Sequence, residues 1–389
     1  MKKILIVNNN MHIGGVQKAL INLLWNIHEK YDITLFLFYN GGAYLDDIPE
    51  DINIIHADSA YRFLGMTKYD VDKNFKDKIG RCFFALISRI FGRKVAVYFM
   101  SFSQKKIVGY DVAISYLHNG GEKVFYGGCN EFVLRHVSAE KKIAFLHCDY
   151  TLSGADNISN AKQYSKFDII AACSDGCAQS FLEKNPLLKS KVAIVYNCHR
   201  FFEIKEDSTK KIVKMSSEFL NIVTVSRLGK EKGVCRAVRA IAGLDEIKNS
   251  VKYYIIGDGI ERDDLKKVIE ESHLSQNVVL CGELKNPYPY IKAADVLLIP
   301  SHSEAAPIVI GEAVCLGTPV LSTETSSAKE LIELKELGWV CENSEQGIQD
   351  AINWIYDNKY KIEEKKQYLK KQQFDNNEAL KQFDKMIYS

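Results

Sequence analysis

No run of apolar residues in this 389-residue sequence approaches the roughly 20 that a transmembrane helix needs. The basic opening Met1-Lys2-Lys3 is followed by too short an apolar stretch for a signal peptide, and Lys3 to Asn8 reads as a first strand instead. Charge of one sign is also scarce. A formal net charge of +2 with 47% apolar residues describes a globular chain, neither disordered nor built to coat nucleic acid. The ten cysteines are scattered, several inside apolar strand or helix patterns where free cysteine behaves as a small hydrophobe. A chain of this length needs no disulfide framework, so the reducing cytoplasm is the expected compartment. Cys173 and Cys177, with Cys198-His199, lack the spacing of paired metal ligands, and no metal is expected. No short internal repeat is present.

What the sequence does have is alternation. Strand and helix patterns follow one another throughout, as in parallel sheets covered on both faces. Strand candidates in the first half are Lys3 to Asn8, Ile33 to Tyr39, Val112 to Tyr116, Lys142 to His147, Ile169 to Ala172 and Val192 to Val195. A second series comprises Asn221 to Val225, Lys252 to Ile256, Val278 to Leu280, Val296 to Ile299 and Val320 to Ser322. The length suits two α/β domains. The expected division is a Rossmann-like domain over 1–200, a polar linker over 201–218, a second Rossmann-like domain over 219–372 and a C-terminal helix over 373–389.

Glu304 and Glu312 carry the sharpest signal. The run Ala294 to Pro300 reads as a buried parallel strand closed by proline. Pro307 suits the first position of a helix, where its missing N–H is not needed, and Gly317 ends that helix before the next strand. Glu304 is then on a loop at the carboxyl end of a strand, and Glu312 on the second turn of the following helix. In open α/β sheets ligands bind there, and the positive helix end favours an anion such as a diphosphate. The segment, with Gly317-Thr318-Pro319-Val320 after it, resembles the retaining glycosyltransferases of family 4, whose signature is two glutamates separated by seven residues. Where that family usually has glycine after the first glutamate, this chain has Ala305.

Four further stretches match. Asn10 to Leu20, with Gly14 and Gly15, lies between the first strand and first helix, where backbone N–H groups approach an anion. It resembles the family's glycine loop. Val225 to Gly233 looks like the family's Gly-Arg-Leu-x-x-x-Lys-Gly element, with Ser226 at the usual glycine. Arg227 and Lys232 would there neutralise a leaving diphosphate without a divalent metal. His147 ends a strand and is similar to the histidine that contacts the donor sugar from the first domain, so it should face the cleft between domains. Gly282 to Tyr288, with Asn286 and Pro287, matches a loop bordering the nucleobase. Ile256-Gly257-Asp258-Gly259 also fits the family but is weak evidence alone.

The resemblance implies a GT-B fold with two Rossmann-like domains facing across a cleft and the last helix returning to the first domain. It implies a nucleotide-sugar donor, a UDP-sugar by resemblance only, and no cofactor or metal. Glu304, His147, Arg227 and Lys232 would serve transfer. Gly14, Gly15, Asn286, Pro287, Ala305, Ala306, Pro307, Ile308 and Glu312 would join Arg227, Lys232 and Glu304 in binding the donor. The acceptor would be a carbohydrate or a lipid-linked sugar, in bacterial surface polysaccharide or glycoconjugate synthesis. A nucleotide-sugar epimerase on the same architecture, or a non-catalytic partner subunit, remains open at this point.

Charge is uneven. Arg62 to Lys106 holds eleven Lys/Arg against Asp70, Asp72 and Asp77, leaving the rest of the chain acidic. Within it, Ile79 to Phe91 interleaves Phe83, Phe84, Leu86, Ile87, Ile90 and Phe91 with Arg81 and Arg89. Residues 79–94 therefore read either as a basic amphipathic helix on the inner face of a membrane or as a packed helix with a solvated edge. Asp70-Val71-Asp72 spells the metal motif of the other transferase fold, GT-A, but no buried strand precedes it, and coincidence is the expected reading.

Overall fold

The computed structural model describes residues 1–72, 74–244 and 247–389, so Lys73 of the basic segment lies outside the described residues. The chain divides into two compact units: Met1–Cys198 with Asn376–Ser389, and His199–Asp375. The first holds β1 (Lys3–Asn8), β2 (Asp32–Leu37), β3 (Asn53–His56), β4 (Ile107–Ser115), β5 (Val137–Leu146), β6 (Ile169–Ala172) and β7 (Val192–Ile194). Their order is β3-β2-β1-β4-β5-β6-β7. The second holds β8 (Leu220–Val225), β9 (Val251–Ile256), β10 (Val278–Gly282), β11 (Val296–Ile299), β12 (Val320–Thr323) and β13 (Gly338–Cys341), in the order β10-β9-β8-β11-β12-β13. Every strand pairing is parallel.

Strands covered by helices on both faces read as unbroken apolar runs. Ile4-Leu5-Ile6-Val7 and Val296-Leu297-Leu298-Ile299 are such runs, and both are buried. The strands missing from the sequence reading are β3 and β13, two of the four edge strands, where Asn53-Ile54-Ile55-His56 and Gly338-Trp339-Val340-Cys341 are too short and mixed to show a period. The 201–218 stretch is not simply a linker. Phe201–Asp207 is helical and buries Ile204 in the core of the second unit, with Val223, Leu297 and Ile310. The Asn377–Tyr388 helix packs within the first unit. There Phe383 meets Tyr31 edge-on at 5.9 Å, and Tyr31 Oη donates to Asp384 at 2.6 Å.

Both sheets reverse their order at one point, between β1 and β4 and between β8 and β11. The loops leaving those strands frame the ligand crevice of a doubly wound sheet.

Candidate functional site

In the second unit the loops after β8 and β11 are joined directly. Lys232 Nζ lies 2.7 Å from Glu304 Oε1. Ser301 Oγ donates to the same oxygen at 2.7 Å. Gly233 holds φ +63°, and a Cβ there would sit 2.1 Å from the Pro300 carbonyl oxygen. Only glycine lets the two loops approach this closely. Gly257 plays the same part after β9: at φ +143°, a Cβ would fall 1.8 Å from Ser226 O.

Arg236 locks the arrangement. It lies buried on the Val234–Ala242 helix, among Val234, Ala237, Val238 and Ile241. Its guanidinium donates to Pro300 O at 2.9 Å, Ser301 O at 2.8 Å and Asn343 Oδ1 at 2.7 Å. Burial pulls its pKa below the ordinary arginine value, and the ring of acceptors compensates the desolvated charge. Asn343 in turn donates to His302 O and Glu324 O, and Thr323 Oγ1 to Ser301 O at 2.6 Å. The loop bearing Glu304 is therefore fixed from three sides. Arg236 is absent from the sequence reading. Its signal was present: an arginine at the inward spacing of an otherwise apolar helix face.

Of the other expected residues, Arg227 is exposed and forms a surface pair with Glu231 at 2.6 Å. Such pairs contribute little, so the guanidinium is readily redirected. Glu312 is buried and accepts from Tyr288 Oη at 3.1 Å, linking it to the Tyr288–Ala293 helix before β11. On the loop leading into that helix, Asn286 Oδ1 accepts from Tyr288 N, and its Nδ2 donates to Asp207 O at 2.8 Å, so it is tied to its own domain beside Pro287. Ala305 is buried without positive φ, so its methyl brings no backbone strain. The helix after Ala306 and Pro307 starts at Val309, two residues later than expected, and has seven residues. Its dipole is correspondingly modest. Ile308 O faces His199 Nε2 at 3.1 Å.

The first unit gathers its residues differently. Gly14 caps the Gly15–Ile27 helix after β1, and the preceding loop is ordered by Asn10 Oδ1, which accepts from His12 N. His12 Nε2 lies 2.8 Å from Asp70 Oδ2, and its ring stacks on Tyr39. Burial disfavours the Asp70 carboxylate, but hydrogen bonds from Thr67 and the nearby His12 outweigh it and hold the carboxyl below its usual range. Asp70 is thus a partner of the glycine loop, a contact across 58 positions that no local motif announces. A recess of about 320 Å³ beside it is lined by Tyr39, Asn40, His56, Asp58, Arg62 and Met66.

His147 directly follows the last residue of β5. Its ring stacks on Phe145 and tilts against Tyr116, and Nε2 is enclosed with no hydrogen-bond partner among the described residues. Burial, then nearby His118, pushes its pKa down to about 3. It is a neutral imidazole, half-buried and packed against aromatics.

Residues 205–374 match the family Glycosyl transferases group 1. The match spans almost all of the second unit and contains every site residue found there. An uncharacterized glycosyltransferase of Methanocaldococcus jannaschii is 30% identical over 182 residues, 45% of this chain and 42% of its own. The Campylobacter jejuni N-acetylgalactosamine-N,N'-diacetylbacillosaminyl-diphospho-undecaprenol 4-alpha-N-acetylgalactosaminyltransferase is 30% identical over 213 residues, 52% of this chain and 57% of that one. The chain thus spans about half the length of these curated relatives. Anabaena HepE, solved in complex with UDP, covers 100% of this chain and 99% of its own at 17% identity and TM-score 0.67. That likeness shows the fold: GT-B, built of two Rossmann-like units.

Proposed function

We propose that the protein is a retaining, metal-independent glycosyltransferase that moves a sugar from a UDP-sugar to an acceptor hydroxyl in the synthesis of a bacterial surface polysaccharide or glycoconjugate. The observation that carries this reading is the Lys232–Glu304 contact at the order reversal of the second sheet, held in place by buried Arg236. The family match over that unit supports the transferase class, the relatives' names the acceptor class, and HepE's UDP the nucleotide.

In this reading Glu312 holds the ribose hydroxyls, and Asn286 and Pro287 border the base. Lys232 has three donors, so it can keep Glu304 while reaching a diphosphate oxygen. Arg227 swings from Glu231 to the same group. Together they stabilise the charge that develops as the bond between the anomeric carbon and the diphosphate breaks. The acceptor oxygen bonds to that carbon on the same face, and its proton passes to the departing diphosphate. Glu304 contacts the transferred sugar, and Ala305 to Ile308 line it.

The test is turnover with a panel of nucleotide sugars in excess chelator, followed by NMR of the anomeric configuration. Release of UDP with retained configuration is expected. Activity abolished by chelator and restored by manganese would overturn metal independence. One observation favours a second reading for the stereochemistry. The His12–Asp70 pair is built like a general base with its orienting carboxylate. If His12 takes the acceptor proton, the product anomer is inverted, and the same spectrum decides.

A further inference from the structure

The Phe75–Phe91 helix has two apolar faces. One carries Phe84, which packs on Phe63. The other points outward: Phe75, Ile79, Phe83, Leu86 and Ile90 are 75%, 54%, 57%, 57% and 54% exposed. They recur every three or four positions and fall within an arc of about 80° on a helix of 3.6 residues per turn. Single exposed apolar residues need no explanation, but a continuous stripe marks an interaction surface. Other exposed aromatics lie close by in the sequence. Phe91 is 67% exposed, and Tyr98, Phe99 and Phe102 follow at 49%, 51% and 70% on the next helical turns.

The rim of this surface is cationic. Between Asn74 and Lys106 there are eight Lys/Arg and a single acidic residue, Asp77, which pairs with Arg62. Lys76 and Arg89 flank the stripe on opposite sides, both exposed, and Lys94, Lys105 and Lys106 extend the charge. Beside Tyr98, whose ring lies under the Arg135 guanidinium, Lys106, Arg135, His136 and Lys142 line a recess of about 240 Å³. Two arginines of the segment do not belong to the surface. Arg93 is buried against Glu131 at 3.2 Å, and Arg81 donates to Met66 O.

We infer that this face is a docking surface for an anionic lipid bilayer, with the apolar stripe entering the interface and the lysines and arginines against the headgroup phosphates. Charge complementarity selects this partner. A second copy of the chain would bring the same cationic rim against itself, and like charges across an interface suppress pairing. A helix with an apolar stripe between basic flanks has the form that lies in the plane of a bilayer. No helix among the described residues is long and apolar enough to cross one, and the surface requires none. The inference deepens the transferase reading, on which it rests for its purpose: it places a lipid-linked acceptor at the first unit.

Flotation with vesicles tests it on the full chain. Wild type should partition onto phosphatidylglycerol-containing vesicles at low salt, release as salt rises, and ignore pure phosphatidylcholine. The exposed-site variant Phe83→Ser/Leu86→Ser should lose at least tenfold in partitioning. The variant Arg89→Gln/Lys94→Gln/Lys105→Gln/Lys106→Gln should lose on the order of 10³-fold. Wild type remaining in solution with anionic vesicles at low salt would overturn the inference, as would variants that bind like wild type. So would a dimer in sedimentation that the Phe83→Ser/Leu86→Ser change dissolves. UDP titration of the same samples separates the two claims. Vesicle binding without UDP binding defeats the transferase reading and leaves the surface, and the converse defeats the surface alone.

Discussion

The two units share one topology and use it in opposite ways. In the second, the loops leaving β8 and β11 are bonded side chain to side chain through Lys232 and Glu304, over a buried arginine. In the first, Gly14, Gly15 and His147 stand on separate strand ends, with His147 packed against aromatics, while one helix turns an apolar stripe outward. A preorganised pocket suits a ligand of fixed shape, and an open face suits partners that differ. Under the proposed function, the first description is that of a nucleotide sugar and the second that of an acceptor at a surface.

The comparison breaks most readily at catalysis. Arg227→Ala and Lys232→Ala should each reduce turnover by roughly 10²–10³ if each removes one preorganised donor, measured as UDP release. Glu304→Ala should impair transfer while leaving UDP affinity nearly intact. Next in size, Arg236→Met should destabilise the second unit by about 1–3 kcal/mol for each buried carbonyl left unpaired. Hydrogen exchange resolved by segment should show the loss in His199–Asp375 and leave the first unit unchanged.

Acid should single out the first unit instead. Burial pushes the His118 pKa down to about 4, and burial with His118 nearby takes His147 to about 3. Below the usual value near 6.5 the unfolded chain binds protons first, so each imidazole removes up to about 1.4 kcal/mol per pH unit as pH falls toward its folded value. Glu131 acts in the same direction lower down: burial disfavours its charge, but Arg93 and the amides of Gln163 and Asn119 hold its carboxyl below the usual range. Its stabilisation is complete above the unfolded value and lost as pH drops through the folded one. Between pH 7 and 5 the first unit should lose exchange protection before the second, and His118→Gln/His147→Gln should flatten that loss. The smallest effect belongs to Glu231→Gln, which removes an exposed pair and should change stability by under about 0.5 kcal/mol.

The sequence made much of this legible for identifiable reasons. Central strands such as Lys3–Asn8, Ile169–Ala172 and Val296–Ile299 are apolar runs bounded by turn residues, and they appear where they were read. The edge strands β3 and β13 carry half-exposed, mixed residues and gave no period, whereas the valine-bearing edges β7 and β10 were read. The 201–207 helix was hidden because polar residues surround its buried Ile204. In the site, Glu304 and Lys232 were visible because each sits on a loop directly after a strand. Their contact, across 72 positions, was not. Tyr288 with Glu312 and His12 with Asp70 were invisible for the same reason: long-range pairs leave no trace in local spacing. The basic amphipathic helix was read with two open outcomes, and its outward apolar stripe is the observation on which the bilayer inference rests.

The most direct test of the account is calorimetric titration of UDP into wild type and into Glu312→Ala, both in excess chelator, with thermal melting to confirm that the variant is folded. The account predicts that wild type binds UDP without a divalent metal and that Glu312→Ala weakens binding by roughly 1–3 kcal/mol, the loss for buried partners left unpaired. Absence of UDP binding, binding that appears only with added metal, or equal affinity in the folded variant would contradict it.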